Sequence, residues 1–287
     1  ASASNATAVA ANTVNTAALQ ASSVTSAKIA AGQVVKSLNG LTDVVNLAAG
    51  ANVILTTNGN ALQIAAAAVG GTNAWLQGGN AGTTAGVNFV GTTDGQPFEL
   101  KVNQQRVARF EMPLANQPNF IGGSAANVIL NAVGTTIAGG FNQRADISFA
   151  TIGGGADNLA SGWGSTIAGG RFNKSLVEHS SVGGVFQNLA NWVFAAVNGG
   201  ADNAAQGFGS TIAGGRYNVT SNEHSAVLGG IGNKAVGFDS VVGGGENNAA
   251  GGNYSALGGG QGNSVAPNGA YSFLGGGAAN TVQDALN

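Results

Sequence analysis

"GSTIAGGRFN" spans Gly164–Asn173, and "GSTIAGGRYN" spans Gly209–Asn218. The two stretches start 45 residues apart and differ only in the exchange of Phe172 for Tyr217. A catalytic site needs its residues once, so a phrase spelled twice at a fixed interval points to architecture. Outward from it, one pattern recurs: an aliphatic residue, then glycine within two or three places, then Asn. The aliphatic positions Ile137, Ile152, Ile167, Val182, Val197, Ile212, Val227, Val242 and Leu257 follow one another every 15 residues. Ile121 precedes the series by 16 residues and Leu274 follows it by 17. Asn158, Asn173, Asn188, Asn203, Asn218, Asn233, Asn248 and Asn263 keep the same 15-residue step. Gln143 holds that slot one repeat earlier, and Asn127 and Asn280 hold it at the ends. A serine precedes the aliphatic residue, as at Ser165, Ser180, Ser210 and Ser225, and a small residue such as Ala160, Ser175 or Ala190 follows the Asn.

Fifteen residues are too few for a helix pair, and paired glycines would cost a helix about 1 kcal/mol each. They suffice for two short strands and two tight turns. The predicted fold is therefore all-β: a parallel β-solenoid or β-roll of about eleven coils over residues 120–287. Strand alternation in Ser165–Gly169 places Ser165, Ile167 and Gly169 inside, with Thr166 and Ala168 outside. Glycine allows the positive φ of a tight corner. Asn also tolerates left-handed backbone, and stacked Asn side chains can hydrogen-bond from coil to coil. A longer period is also present, since Glu178-His179-Ser180 recurs as Glu223-His224-Ser225 after 45 residues. The chain grew by copying blocks of three coils.

A coil this thin encloses little, and each repeat touches only its neighbours. A homotrimer is the expected second source of burial, with outward apolar groups at Trp163, Trp192, Phe194, Phe208, Phe238 and Tyr254. Composition agrees with a repeat protein. Glycine supplies 49 of the 287 residues, charged residues only 8%, and apolar residues 44%. With a net charge of −2 and ten scattered Lys and Arg, no basic surface for nucleic acid is expected. No apolar run reaches the roughly 18 residues of a membrane span. There is no cysteine, so disulfides and thiolate metal sites are excluded. The start at Ala1, without an apolar leader, reads as a processed or trimmed chain.

The coil resembles the left-handed parallel β-roll head of trimeric autotransporter adhesins, over roughly residues 120–280. That resemblance implies a homotrimer at the bacterial surface that binds host or abiotic material. In the N-terminal third, "VNTAAL" at Val14, "VTSAKI" at Val24 and "VVKSL" at Val34 recur every ten residues. These units resemble modules of phage tail fibres and of secreted bacterial fibre proteins, as do the stretches 37–67 and 91–111.

Before the repeats, two segments are expected. Residues 1–40 form an extended N-terminal arm, with Val14, Leu19, Val24, Ile29 and Val34 as its assembly positions. Residues 41–119 form a β-rich collar capping the first coil. In it Val53–Thr57 and Ala61–Ala65 flank a hairpin turn at Asn58-Gly59. Phe98, Leu100 and Val102 alternate with polar residues as a strand. Gln104-Gln105 then turn the chain into Arg106–Glu111, with Glu99, Lys101, Arg106, Arg109 and Glu111 pairing across strands.

No catalytic, cofactor-binding or metal site emerges. His179 and His224, the only histidines, occupy one column three coils apart, too far to share an ion, and read as solvated corners. Asp157 and Asp202 lack the acid in nearly every turn that calcium repeats need. The Thr column before the aliphatic residue is interrupted, as at Ala196 and Val241, which argues against an ice-binding ladder. The expected function is that of a secreted, non-enzymatic structural and adhesive fibre, trimeric and able to join head to tail through its arm. Its partners would be itself and a host, abiotic or glycan surface. A phage or tailocin tail-fibre segment binding surface glycans is the alternative, and a polysaccharide depolymerase ranks third.

Overall fold

The computed structural model describes residues 46–51, 53–59, 61–66, 75 and 78–284. The expected arm, with Val14, Leu19, Val24, Ile29 and Val34, lies outside them. The chain divides into two compact units, one ending at Phe89 and one from Val90 to Asn287. Among the described residues there is no helix.

In the first unit, β1 (Val53–Asn58) and β2 (Ala61–Ala66) pair antiparallel, with Asn58 opposite Ala61. Gly59 takes φ 58°, as the expected turn requires.

The second unit opens with β3 (Phe98–Val102), β4 (Gln105–Leu114) and β5 (Gln117–Gly122), a pair of antiparallel hairpins. The first turn lies at Asn103 and Gln104, φ 47° and 61°, one residue before the expected position. Two successive positive φ values are what a two-residue hairpin turn needs to match strand twist. Glu99 sits opposite Arg109 and pairs with it at 3.6 Å, as expected for this charge patch. β5 was not foreseen as a strand. It is the junction: antiparallel to β4 on one side, it pairs in parallel with β7 (Thr136–Ile137) on the other.

From β5 onward the chain is a solenoid of about eleven parallel turns at 15-residue spacing. Each coil gives one two-residue strand to each of two sheets. One sheet runs from β6 (Val128–Ile129) through residues 144–145, 159–160 and 174–175 to 281–282. The other runs from β3–β5 through β7, 151–152 and 166–167 to 273–274. A third ladder, of single bridges, links Phe141, Ala156, Arg171, Phe186, Ala201 and their successors. Register is fixed at one coil, with Thr166 opposite Thr151 and Ser181, and Ile167 opposite Ile152 and Val182.

The expected two turns per coil are in fact three left-handed corners. Counted from the aliphatic residue, positive φ falls three places before it, three after it and five after it. In one coil these are Gly164 (63°), Gly170 (83°) and Phe172 (58°). The ladder Asn itself is not among them; the residue before it takes the left-handed conformation. Two unlike constraints therefore meet at adjacent positions. The corner residue bends the chain, and Asn turns inward.

The interior of a coil consists of four columns. Ile137, Ile152, Ile167, Val182, Val197, Ile212, Val227, Val242 and Leu257 are all fully buried, as expected. Ser165 and its equivalents, the Asn column and small residues such as Ala145, Ala160 and Ser175 complete it. Thr166 and Ala168 face out, again as expected. Gly169 does not face the core: a Cβ there would meet nothing within 4 Å. The glycine that packing demands is the next one, where a Cβ on Gly170 would lie 2.4 Å from the Val185 carbonyl oxygen. Several of the serines close the turn behind them, although the buried Ser165 hydroxyl has no partner. Ser225, Ser240 and Ser255 donate their hydroxyls to the carbonyl three residues back at 2.6–2.7 Å.

The Asn column runs continuously through the stack. The Asn218 backbone N–H donates to Oδ1 of Asn203 at 3.0 Å, and Asn218 Oδ1 accepts from Asn233 N–H at 2.9 Å. Asn218 Nδ2 donates to the carbonyls of Gly214 and Gly230, both at 2.9 Å. Every polar atom of a fully buried amide is thus engaged, which is the condition for burying it without penalty. Asn158, Asn173, Asn188, Asn203, Asn233, Asn248 and Asn263 repeat the arrangement. Gln143 is one methylene too long. Its Oε1 still accepts from Asn158 N–H at 3.1 Å, but its buried Nε2 has no partner. The first coil has no coil before it, and Arg106 on β4 takes that role. Its guanidinium donates to the carbonyls of Asn127 (2.8 Å) and Ala125 (3.1 Å).

Val185 breaks the glycine corner column. It holds φ 68° with 64% exposure, a conformation β-branched residues rarely adopt. There the hydrogen bond from the side-chain amide to the next corner stretches: Asn173 Nδ2 lies 3.5 Å from the Val185 carbonyl oxygen, against 2.9 Å from Asn158 Nδ2 to that of Gly170.

Two outcomes follow for stability. Asn218→Ala strips partners from the Asn233 N–H and the Gly214 carbonyl inside the stack, and should cost about 2–4 kcal/mol in denaturant unfolding. Val185→Gly should raise stability by about 0.5–1 kcal/mol. Relief of roughly 1–2 kcal/mol of left-handed strain outweighs the added freedom of glycine in the unfolded chain.

Candidate functional site

The repeated phrase builds one surface feature directly. Arg171 lies over the Phe172 ring at 4.5 Å, and Arg216 lies over the Tyr217 ring at 4.4 Å. Each Arg also pairs with an acid of the preceding coil, Arg171 with Asp157 at 3.2 Å and Arg216 with Asp202 at 3.5 Å. This explains the tolerated exchange of Phe172 for Tyr217: either ring serves as the bed for the guanidinium, and both rings are exposed to solvent. Asp157 and Asp202 are thus Arg partners. Asp157 also accepts from Asn142 Nδ2 at 2.8 Å. That hydrogen bond, followed by Arg171, holds its carboxyl below the ordinary value of 3.8.

A larger feature occupies the corner that precedes the aliphatic strand. One ring comes from each coil, from Phe149 through Trp163, His179, Phe194, Phe208, His224, Phe238 and Tyr254 to Tyr271, every ring in contact with the next. Centroid separations along this series lie between 4.9 and 6.0 Å. Most pairs meet edge to face, the arrangement the ring quadrupole favours. Phe149, Trp163, Phe194, Phe208, Tyr254 and Tyr271 are between 37% and 78% exposed.

Two sequence offsets feed this column. Phe149, His179, Phe194, His224, Tyr254 and Tyr271 stand three places before their aliphatic residue, whereas Trp163, Phe208 and Phe238 stand four before. When the ring moves to the earlier place, the corner is left to Gly164, Gly209 or Asp239. The glycines leave room for the next ring. A Cβ on Gly164 would lie 2.9 Å from His179 Nδ1, and one on Gly209 would lie 3.0 Å from His224 Cδ2. Gly134 serves Phe149 in the same way, at 2.8 Å.

The two histidines are more than solvated corners. His179 stacks nearly parallel on Phe194, 2° between planes, and meets Trp163 edge-on. His224 bridges Phe208 and Phe238, with Nδ1 3.3 Å from Asp239. Five of the six outward aromatic or aryl positions read from the sequence belong to this column. The sixth, Trp192, is exposed two residues before Phe194. The sequence signal was available as one aromatic residue per coil. It was hidden because a fixed 15-residue frame splits the rings between two columns.

Among the described residues, no group of three or more acidic or histidine side chains gathers as a metal site. No protein-family model and no curated protein sequence matches the chain.

The Asn142–Asp157–Arg171 contact is testable by titration. A depressed carboxyl pKa stabilises the fold above its ordinary value, and the effect fades as pH falls through the folded value. Asn142→Ala should move the Asp157 titration upward toward 3.8, read from its carboxyl carbon shift by NMR.

Proposed function

We propose that this is an extracellular structural and adhesive fibre protein without enzymatic activity. Its rods associate in threes and extend head to tail through residues 1–40. The observation that carries the reading is the use to which each coil puts its repeated residues. Aliphatic, serine, Asn and small residues all point inward and serve stacking, so the repeat makes a rod and leaves binding to its exterior. Repeat arrays of this kind gain stability coil by coil from nearest-neighbour contacts.

Three further points support it. The strands at Phe273–Leu274 and Thr281–Val282 end their two sheets, and among the described residues nothing pairs with their outer edge. An open parallel edge is a template for an added strand, and the Ala-, Val- and Thr-rich arm has the composition to supply one. The likeness of the coils to trimeric adhesin heads, and of the arm to fibre-protein modules, points the same way. The thin interior supports association, because a single coil buries only one aliphatic side chain with its small neighbours.

Electron microscopy of the native, unheated chain, with solution mass from the same sample, tests the reading. Filaments, or rods of three times the 27.9 kDa chain mass, are expected. Deleting residues 1–40 should abolish filaments and leave the rod folded. Filaments of unchanged length after that deletion would overturn the head-to-tail part, and a monomeric mass would overturn the trimer. Discrete rods of that mass without filaments would mean a capped trimeric head.

A further inference from the structure

We infer that the exposed ring column is a binding track for an extended, uncharged polysaccharide chain. The inference rests on the adhesive reading above and assigns the surface and the ligand class to it. A contiguous exposed apolar patch of more than a few hundred Å² marks an interaction site on a soluble protein. Here the patch is a line: nine rings, one per coil, in unbroken contact. Coils stack at about 4.8 Å, and a linear pyranose chain repeats on a similar scale. A line of this kind suits a long polymer that makes many weak contacts in series. A compact partner or a small molecule would leave most of it bare.

The polar groups along the line select the polymer. The seven corners that bear the rings from Trp163 to Tyr254, 161–165, 176–180, 191–195, 206–210, 221–225, 236–240 and 251–255, hold three acids, Glu178, Glu223 and Asp239. They hold no Lys or Arg. In the Phe149 corner Asp146 is paired with Arg144. Carboxylates repel polyanions, and no Lys or Arg in these seven corners attracts them, which disfavours nucleic acids and acidic polysaccharides. The same carboxylates accept hydrogen bonds from hydroxyl groups. Tyr254 and the indole of Trp163 add hydrogen-bonding edges to apolar faces. A lipid would leave these edges without partners. A sugar ring presents apolar C–H faces to the aromatic rings and hydroxyls around its rim, and so uses both kinds of group. By contrast, Phe186 lies on the bridge ladder beside Arg171, its ring against Phe172 at 5.9 Å between centroids, and has no place in the track.

The test is retention of the full chain on insoluble neutral polysaccharides: cellulose, chitin, β-1,3-glucan and mannan. Polylysine-coated beads serve as the cationic comparison. Retention on at least one neutral polysaccharide is expected, insensitive to 0.5 M salt and lowered at least tenfold in the combined variant Trp163→Ala, Phe208→Ala, Tyr254→Ala. Phe186→Ala should bind as the parent does. Thermal unfolding confirms that the variants fold, and single Trp163→Ala and Tyr254→Ala chains, each with a smaller loss, substitute if the triple variant does not. The inference is overturned if no neutral polysaccharide retains the parent, if ring removal leaves retention unchanged, if Phe186→Ala weakens it equally, or if only the polylysine beads bind. Rods and filaments of the combined variant, seen by microscopy, report separately on the fibre reading.

Discussion

Each coil is tied to the next by a buried carboxamide, and the rest of the solenoid is arranged around that bond. Asn at this position completes the hydrogen bonding of its own corner and of the following one, while its oxygen receives the next Asn N–H. The geometry is tight. A Cβ at the glycine corner would collide first with the backbone of the next coil, 2.2 Å from the Gly230 carbonyl oxygen at Gly215, and then with the amide nitrogen of Asn218 at 2.6 Å. The stacked backbone and the amide together impose the glycine, and the glycine lets the coil turn tightly enough for the amide to reach. Gln143 and Val185 show the tolerance of the arrangement. One leaves a donor without a partner and the other stretches a bond, and in both places the register of the sheets continues unchanged.

Stacking by nearest neighbours also explains why the interior can be so poor in large side chains. Backbone ladders and side-chain amides supply the specificity that a jigsaw core supplies elsewhere, and one Ile or Val per coil excludes water from them. The two ends need separate solutions. At the first coil, Arg106 reaches across to the carbonyls that a preceding coil would have engaged, and the β3–β5 hairpins cover one sheet edge.

The inward columns were legible in the sequence because each keeps one strict period. Ile, Ser and Asn at 15-residue steps identify the strand, the turn and the ladder. What escaped has physical reasons. The left-handed corner before the Asn holds Asp157, Phe172, Gln187 and Tyr217, residues with no common side-chain chemistry, because only the backbone is constrained there. β5 was missed because Gln117–Gly122 contains Pro118 and belongs half to the hairpin and half to the first coil. The ring column was missed because a ring can reach the same edge from either of two adjacent residues. His179 and His224 looked isolated for the same reason: Trp163, beside His179, and Phe208 and Phe238, on either side of His224, lie in the other sequence column.

The offset rings also set a grain to the molecule's length. Adding or removing 15 residues would preserve every inward column. It would also bring Trp163-type and Gly164-type corners into new neighbourhoods, where a ring could fall over a side chain instead of a glycine. A change of 45 residues returns Trp163 to Phe208, His179 to His224 and Arg171 to Arg216. From Phe149 to His224 the core thus counts in single coils and the surface in threes. Copying errors that respect only the smaller unit would give a sound rod with a scrambled exterior, and those that respect the larger unit would lengthen rod and track together.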